Sequence, residues 1–218
     1  MRWVKKNPLS KQIGYSRVIF SNPNFKSPLL FTPFLFASLI FAIIAFSPYK
    51  KDKFLSYKLI NESILINTSC EVAYKYLGNS HNTKDWSVYV DHISPINEDK
   101  VADGHLGSIR RCFKNNNEKD GTWDEEILFI EKNKLRRLSC FNFRDLIISP
   151  GFLHAEQIYE DKNGDCLLKF TLFSPKNEYG LWKEFKIYLA SYPTAYIFRK
   201  NLKNIKKHLE QQKNEVEI

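Results

Sequence analysis

The sequence predicts an α+β fold: a curved antiparallel sheet of about seven strands around a long C-terminal helix, preceded by one transmembrane helix. Three observations predict it. Six stretches between residues 87 and 173 alternate apolar and polar residues with the period of a strand. Leu181, Phe185, Tyr188, Leu189 and Tyr192, then Phe198, Leu202, Ile205 and Leu209, recur at helical spacing. Residues 29–47, LLFTPFLFASLIFAIIAFS, carry no charge.

At about 1.5 Å per residue that uncharged run spans about 28 Å, near the thickness of a bilayer's hydrocarbon layer. It is apolar on every face, unlike a core helix with one polar side. Residues 1–28 form a basic tail with six Lys or Arg and no acid, too long for the leader of a secretory signal. The only small-residue cleavage pattern, Ala45-Phe46-Ser47, is followed by Pro48. Residues 29–48 are therefore expected to be an uncleaved, single-pass membrane anchor. Pro33 falls in its first turn, where a missing N–H costs little. Lysines flank both ends, so the positive-inside rule leans only weakly to a cytoplasmic N-terminus and an external domain. Residues 49–55 read as a linker, 56–211 as one domain and 212–218 as a polar tail.

The domain opens with a strand at 56–67. Thr68-Ser69-Cys70-Glu71 reads as a capping box, with Thr68 as cap and Glu71 reaching back. A short helix follows through Val72, Ala73, Tyr76 and Leu77, with Gly78 as its stop. A further helical turn leads to Trp86. Strands are expected at 87–95, 106–115, 122–131, 135–143, 153–160 and 166–173, punctuated by Gly104, Gly121, Asn133 and Asn163-Gly164. Pro193 is expected to kink or split the last helix. A meander that long must curl, and the terminal helix is the one element large enough to cover its concave face. Phe185, Leu189, Leu202 and Ile205 are expected to be buried there.

The formal charge of +9 is not a nucleic-acid signal. Residues 1–53 hold nine basic residues and one acid, and the remainder is nearly balanced, so the excess belongs to the membrane flank. Arg199, Lys200, Lys203, Lys206 and Lys207 read as the solvated face of a helix. The four cysteines, Cys70, Cys112, Cys140 and Cys166, form no C-x-x-C and are expected to be buried free thiols, with disulfides plausible for a domain outside the cell. The five histidines show no ligand spacing, so no metal and no cofactor are expected. G-x-S-x-G, P-loop, G-x-G-x-x-G and H-E-x-x-H patterns are absent. Asn61-Glu62-Ser63 and Asn67-Thr68-Ser69 match glycosylation sequons by pattern alone.

The order of elements, with the stretches ILINTSCEVAYKYL, Asp85-Trp86, Gly107-Ser108-Ile109-Arg110-Arg111, Trp123-Asp124-Glu125-Glu126-Ile127, Lys134-Leu135-Arg136-Arg137-Leu138, Gly164-Asp165-Cys166-Leu167-Leu168 and the close Leu202–Glu210, resembles the START-like, or SRPBCC, superfamily. The resemblance covers about residues 56–211. It implies the helix-grip fold and a cavity for a lipid, polyketide or other hydrophobic small molecule. Some members are cyclases, dehydratases or hydrolases, so fold alone does not fix activity. The N-terminal anchor is an addition to the family pattern.

Alternation nominates the site. Cys166, Leu168, Phe170 and Leu172 face the core, and Lys169 and Thr171 face out. In 122–131 either Trp123, Glu125, Ile127 and Phe129 face inward or Asp124, Glu126, Leu128 and Ile130 do; the resemblance favours the first. Arg110 and Cys112 share a face, and His154 and Glu156 alternate with Leu153, Ala155 and Tyr159. The candidate ligand-binding residues are Trp86, Arg110, Trp123, Glu125, Phe141, His154, Phe170 and Phe185. An inward Arg110–Glu125 pair can orient the polar end of an apolar ligand or place an acid/base in the cavity; the alternative is that these charges lie on the solvated face. The expected function is membrane-anchored binding of a hydrophobic molecule. The alternatives are an enzyme acting on such a molecule, with Glu125, Arg110 or His154 as acid/base, and a structural domain whose cavity is filled by side chains.

Overall fold

The computed structural model describes residues 31–51, 58–146, 153–174 and 180–216. The basic tail 1–28, most of the predicted linker and the last two residues lie outside the described residues. The chain divides into two compact units, 1–39 and 40–218. Helix α1, Phe31–Ala45, has 15 residues, so it ends earlier than the 29–48 helix expected from the sequence. No helix among the described residues is long and apolar enough to cross a membrane. The chain leaves α1 there because Ser47 and Tyr49 are buried: Ser47 Oγ lies 2.7 Å from Ser191 Oγ, and Tyr49 packs with Ile60 and Ala195.

Eight antiparallel strands form one sheet in the order β1-β2-β8-β7-β6-β5-β4-β3. The short strand β1, Lys50–Lys51, falls in the predicted linker and adds to the edge of β2, Lys58–Ile66. Helix α2, Cys70–Gly78, a 3-10 turn, Ser80–Asn82, and α3, Thr83–Trp86, carry the chain to the opposite edge. From there β3, His92–Pro95, β4, Ile109–Phe113, β5, Thr122–Glu131, β6, Leu135–Arg144, β7, Leu153–Lys162, and β8, Asp165–Ser174, run as a meander back to β2. Asn163 and Gly164, at φ of 59° and 97°, make the tight β7–β8 turn, the left-handed pair such hairpins require. Strands β3 and β4 are shorter than predicted. Ser87 Oγ accepts the amides of Tyr89 and Val90 and turns the chain before β3. Gly107, at φ 81°, bends it before β4.

The cap of α2 is Ser69, whose Oγ accepts the Val72 amide, rather than Thr68. Thr68 is buried, and Glu71 pairs with Lys75 at 2.7 Å instead of reaching back. The one-residue shift puts Cys70 in the first turn, where a disulfide joins it to Cys166 at the head of β8; Cys112 and Cys140 stay free and buried. Gly78 is not a left-handed stop: it is the last helical residue, and Asn79 caps. It is glycine for space, since a Cβ there would lie 2.9 Å from Arg136 Nη2.

Helix α4, Leu181–Val216, is one continuous 36-residue helix through Pro193. Proline removes a single backbone bond, and Thr194 Oγ1 bonds the neighbouring Ala190 carbonyl. Its C-terminal half buries Leu202, Ile205 and Leu209 against α2 and β8 in the main core, with Ile66, Tyr159 and Leu168. Its N-terminal half meets a smaller cluster of Tyr49, Ile60 and Ala195. Leu189, expected to be buried, is 43% exposed, because the inward face at that level belongs to Ala190, Thr194 and Ile197.

Candidate functional site

A cavity of about 460 Å³ lies between the concave face of the sheet and α3 and α4. Phe170 and Leu172 of β8, Ala155 of β7, Leu138 of β6 and Ile197 and Phe198 of α4 form much of its apolar wall. Trp86, at the end of α3, meets Phe170 edge-on at 6.3 Å between centroids and closes one side. The cavity exists because α4 presents small residues, Ala190 and Thr194, to the curved sheet where larger ones would fill the gap.

One end is polar. Arg110 on β4 and Glu125 on β5 are register partners and both point inward. Arg110 Nε lies 3.4 Å from Glu125 Oε2, and Arg110 Nη1 lies 3.9 Å from Asp103 Oδ1. The Arg110 side chain is 4% exposed and Glu125 17%. Trp123 Nε1 donates to Glu125 Oε1 at 3.0 Å, and Asp103 Oδ2 accepts the Ser80 amide at 2.7 Å. Both Arg110 Nε, which faces Glu125 Oε2 without hydrogen-bond alignment, and Asp103 Oδ1 are buried and make no hydrogen bond. Such groups are costly unless another molecule completes them. Burial, reinforced by the Glu125 charge, pushes the Cys112 and Cys140 thiols well above the usual range, so both line the cavity as neutral groups. Burial also raises the Tyr89 phenol, which stacks on Trp123 at 6.0 Å.

The opposite sheet face carries a separate ion pair. Arg111 Nε donates to Asp124 Oδ1 at 2.7 Å, and Asn142 Nδ2 donates to Oδ2 at 2.9 Å. Burial pushes the Asp124 carboxyl up, but these bonds outweigh it and hold it below the usual carboxylate range. Of the two faces open in the sequence of β5, the one with Trp123 and Glu125 faces inward, and Asp124 faces out.

A second depression, about 620 Å³, is more open, and Lys75, Glu98, Asp103, Lys132 and Arg136 are among its lining residues. At its base lies the guanidinium of Arg136, buried and bonded to Gln157, Tyr159 and the Tyr74 carbonyl, 4.3 Å over the Tyr74 ring. Those contacts tie β6 to α2. The cavity between the sheet and α4, with an apolar wall and one polar end, is the better candidate for a ligand site.

No family model matches the chain, and no curated protein matches its sequence. Solved structures do match. An aromatase/cyclase, Zhui, from a Streptomyces species aligns at TM-score 0.53 and 10% identity, over 72% of this chain and 95% of that one. The protein Ara h 8.0201 aligns at TM-score 0.52 and 10% identity, over 71% and 99%. Norcoclaurine synthase from Thalictrum flavum, in complex with dopamine and hydroxybenzaldehyde, aligns at TM-score 0.52 and 12% identity, over 71% and 87%. The chain has the helix-grip fold. At these identities the likeness is one of fold, and it spans nearly the whole of each neighbour.

Within the helix-grip cavity the structure brings together Trp86, Arg110, Trp123, Glu125 and Phe170. Phe141, His154 and Phe185 do not line it. Phe141 pairs with Asp124 on the outer face, and the left-handed Asn142, at φ 51°, then turns Phe143 inward in its place. His154 also faces out, 5.2 Å from the Phe173 ring, and burial lowers its pKa. Phe185 lies on α4 two turns before Pro193 and stacks on Trp182. Cys140 and Leu138 follow from the alternation of β6, and Cys112 was visible beside Arg110. Asp103, which lines the second depression and reaches Arg110 from there, sits in a loop, where no periodicity signals a direction.

Proposed function

We propose that the chain is a membrane-tethered binding protein for a hydrophobic small molecule, held in the helix-grip cavity with its polar end at Arg110 and Glu125. The observation that carries this reading is the incomplete polar cluster at the end of an apolar cavity. Arg110 is buried between two carboxylates at 3.4 and 3.9 Å, and its Nε pairs with Glu125 without making an aligned hydrogen bond. A ligand hydroxyl, carbonyl or amine supplies the missing partner, while Trp86, Leu138 and Phe170 cover its apolar body. One fold neighbour holds two small aromatic molecules, which agrees in size class. The open cavity speaks against a domain packed solid by its own side chains.

The tether is part of the proposal. Residues 29–47 are uncharged, and α1 exposes Phe34, Phe36 and Phe41 at 65–74% of their surface. Exposure of that kind is unfavourable in water and favourable in lipid. A tether holds the cavity near molecules that dissolve in the bilayer.

An enzyme acting on such a molecule is favoured by one observation, the Glu125 carboxylate in the cavity wall, where it can move a proton.

The test is a titration of the full chain, reconstituted in vesicles, with a dansyl-labelled fatty acid. Energy transfer from the cavity tryptophans, Trp86 and Trp123, saturates at one probe per chain, and Ala190→Phe or Thr194→Leu, which fill the cavity, abolishes it. Unsaturable transfer, or transfer unchanged in both variants, contradicts the reading.

A further inference from the structure

We infer that the N-terminal half of α4 is a second membrane-contacting surface, seated on an anionic bilayer with its outward aromatic stripe in the interfacial layer. The inference rests on the membrane reading above. Trp182, Phe185, Leu189, Tyr192 and Tyr196 recur at alternating three- and four-residue spacing, which puts them on one face of the helix. That face is distinct from the one that lines the cavity through Ala190, Thr194 and Ile197. Apart from the half-buried Phe185 it is uncovered: Trp182 is 68% exposed, Tyr196 56% and Leu189 43%, with Leu181 beside them at 89%. A helix in a water-soluble domain has one apolar face, and this segment has two.

Two further features fix the occupant. The stripe continues onto the end of α1: the Tyr192 hydroxyl donates to the Ile43 carbonyl at 2.9 Å, and Phe41, Ile44 and Phe46 are exposed at 73, 40 and 80%. It is also edged by cations. Lys186 lies 5.8 Å over Trp182 and Lys200 5.6 Å over Tyr196, while residues 181–200 contain one acid, Glu184. Tryptophan and tyrosine with lysine at their margins match the chemistry of a bilayer's interfacial zone, and the lysines complement anionic headgroups. A surface of this kind lying parallel to the bilayer is the amphipathic mode of attachment. Because Pro193 and Thr194 of the same helix line the cavity, this seating sets the cavity wall one helix thickness from the lipid.

The experiment uses the full chain carrying Leu181→Cys, with Gln211→Cys as the distant control. Both sites are exposed, and Gln211 lies about 22 Å further along α4 than Tyr196. Each is labelled with an environment-sensitive maleimide, against the unlabelled background of the buried Cys112 and Cys140. The chains are reconstituted in vesicles of phosphatidylcholine and phosphatidylserine, with and without brominated acyl chains. The label at 181 shifts to the blue and loses emission to bromine, and the label at 211 does neither. If the chain floats with vesicles but the label at 181 keeps its aqueous spectrum, the surface is refuted and the tether stands. If the chain does not float with vesicles, both fail. If the label at 181 is already buried in lipid-free micelles, increasingly so with protein concentration, a second copy covers the stripe and the inference is overturned.

Discussion

Arg110 and Glu125 are joined twice, as register partners of β4 and β5 and through their side chains, with Nε 3.4 Å from Oε2 inside the cavity. The distance is longer than a good charge-assisted bond of about 2.7–2.9 Å, which leaves room for a third group. Glu125→Gln keeps an oxygen for Trp123 but loses the charge, and is expected to weaken ligand binding roughly ten- to a hundredfold. Arg110→Ala strands Glu125 and Asp103 and is expected to cost about 3–5 kcal/mol of stability as well. A titration and urea denaturation of the two variants and their double mutant measure both effects. In a coupled pair the double mutant loses less than the sum.

The Cys70–Cys166 disulfide closes a loop of 96 residues and ties α2 to β8. On the chain-entropy model its removal costs about 4–5 kcal/mol. Denaturation of Cys70→Ala/Cys166→Ala against the parent chain measures this. A reductant is expected to lower the midpoint of the parent and leave the variant unchanged.

Gly104 has φ 79°, and a Cβ there would lie 2.4 Å from the Gly78 carbonyl oxygen. This contact fixes the loop that carries Asp103 against the end of α2. Gly104→Ala strains the backbone by roughly 1–3 kcal/mol and must also push the loop away. It is expected to lower the denaturation midpoint and to weaken ligand binding together, because the displaced Asp103 carboxylate no longer pairs with Arg110 of the cavity.

Asp124 supplies a pH dependence with a defined sign. Its folded pKa is depressed, so the unfolded chain binds that proton more readily. The stability this group contributes is complete above its unfolded value near 4 and is lost as pH falls through the lower folded value. The stability difference between the parent and Asp124→Asn is expected to be flat from about pH 7 to 5 and to shrink below about pH 4. Denaturant titrations across that range check it.

The order of the elements was legible because a strand period of two and a helix period near 3.6 are properties of the chain itself. The inward face of β5 was not settled by alternation, which left both faces open; the resemblance pointed to the one with Trp123 and Glu125, opposite Arg110 of β4. Legibility ended where the alternation is broken. A register shift between Ile127 and Phe129 turns Phe129 outward, beneath Arg137, although it belonged to the inward set by count. Asn142 does the same to Phe141 and Phe143. The pairing of Cys70 with Cys166 depends on a contact across the fold, which spacing does not encode. Gly78 looked like a helix stop, yet its lack of a side chain serves Arg136 on a strand 58 residues later in sequence.

Mass spectrometry of small molecules released from the purified full chain tests the ligand-binding role most directly, with Arg110→Ala and Ala190→Phe prepared alongside. The result expected is one apolar molecule with a polar end, near one per chain in the parent and depleted in both variants. Parent chain that carries no such molecule, and takes none up from a membrane lipid extract, would contradict it.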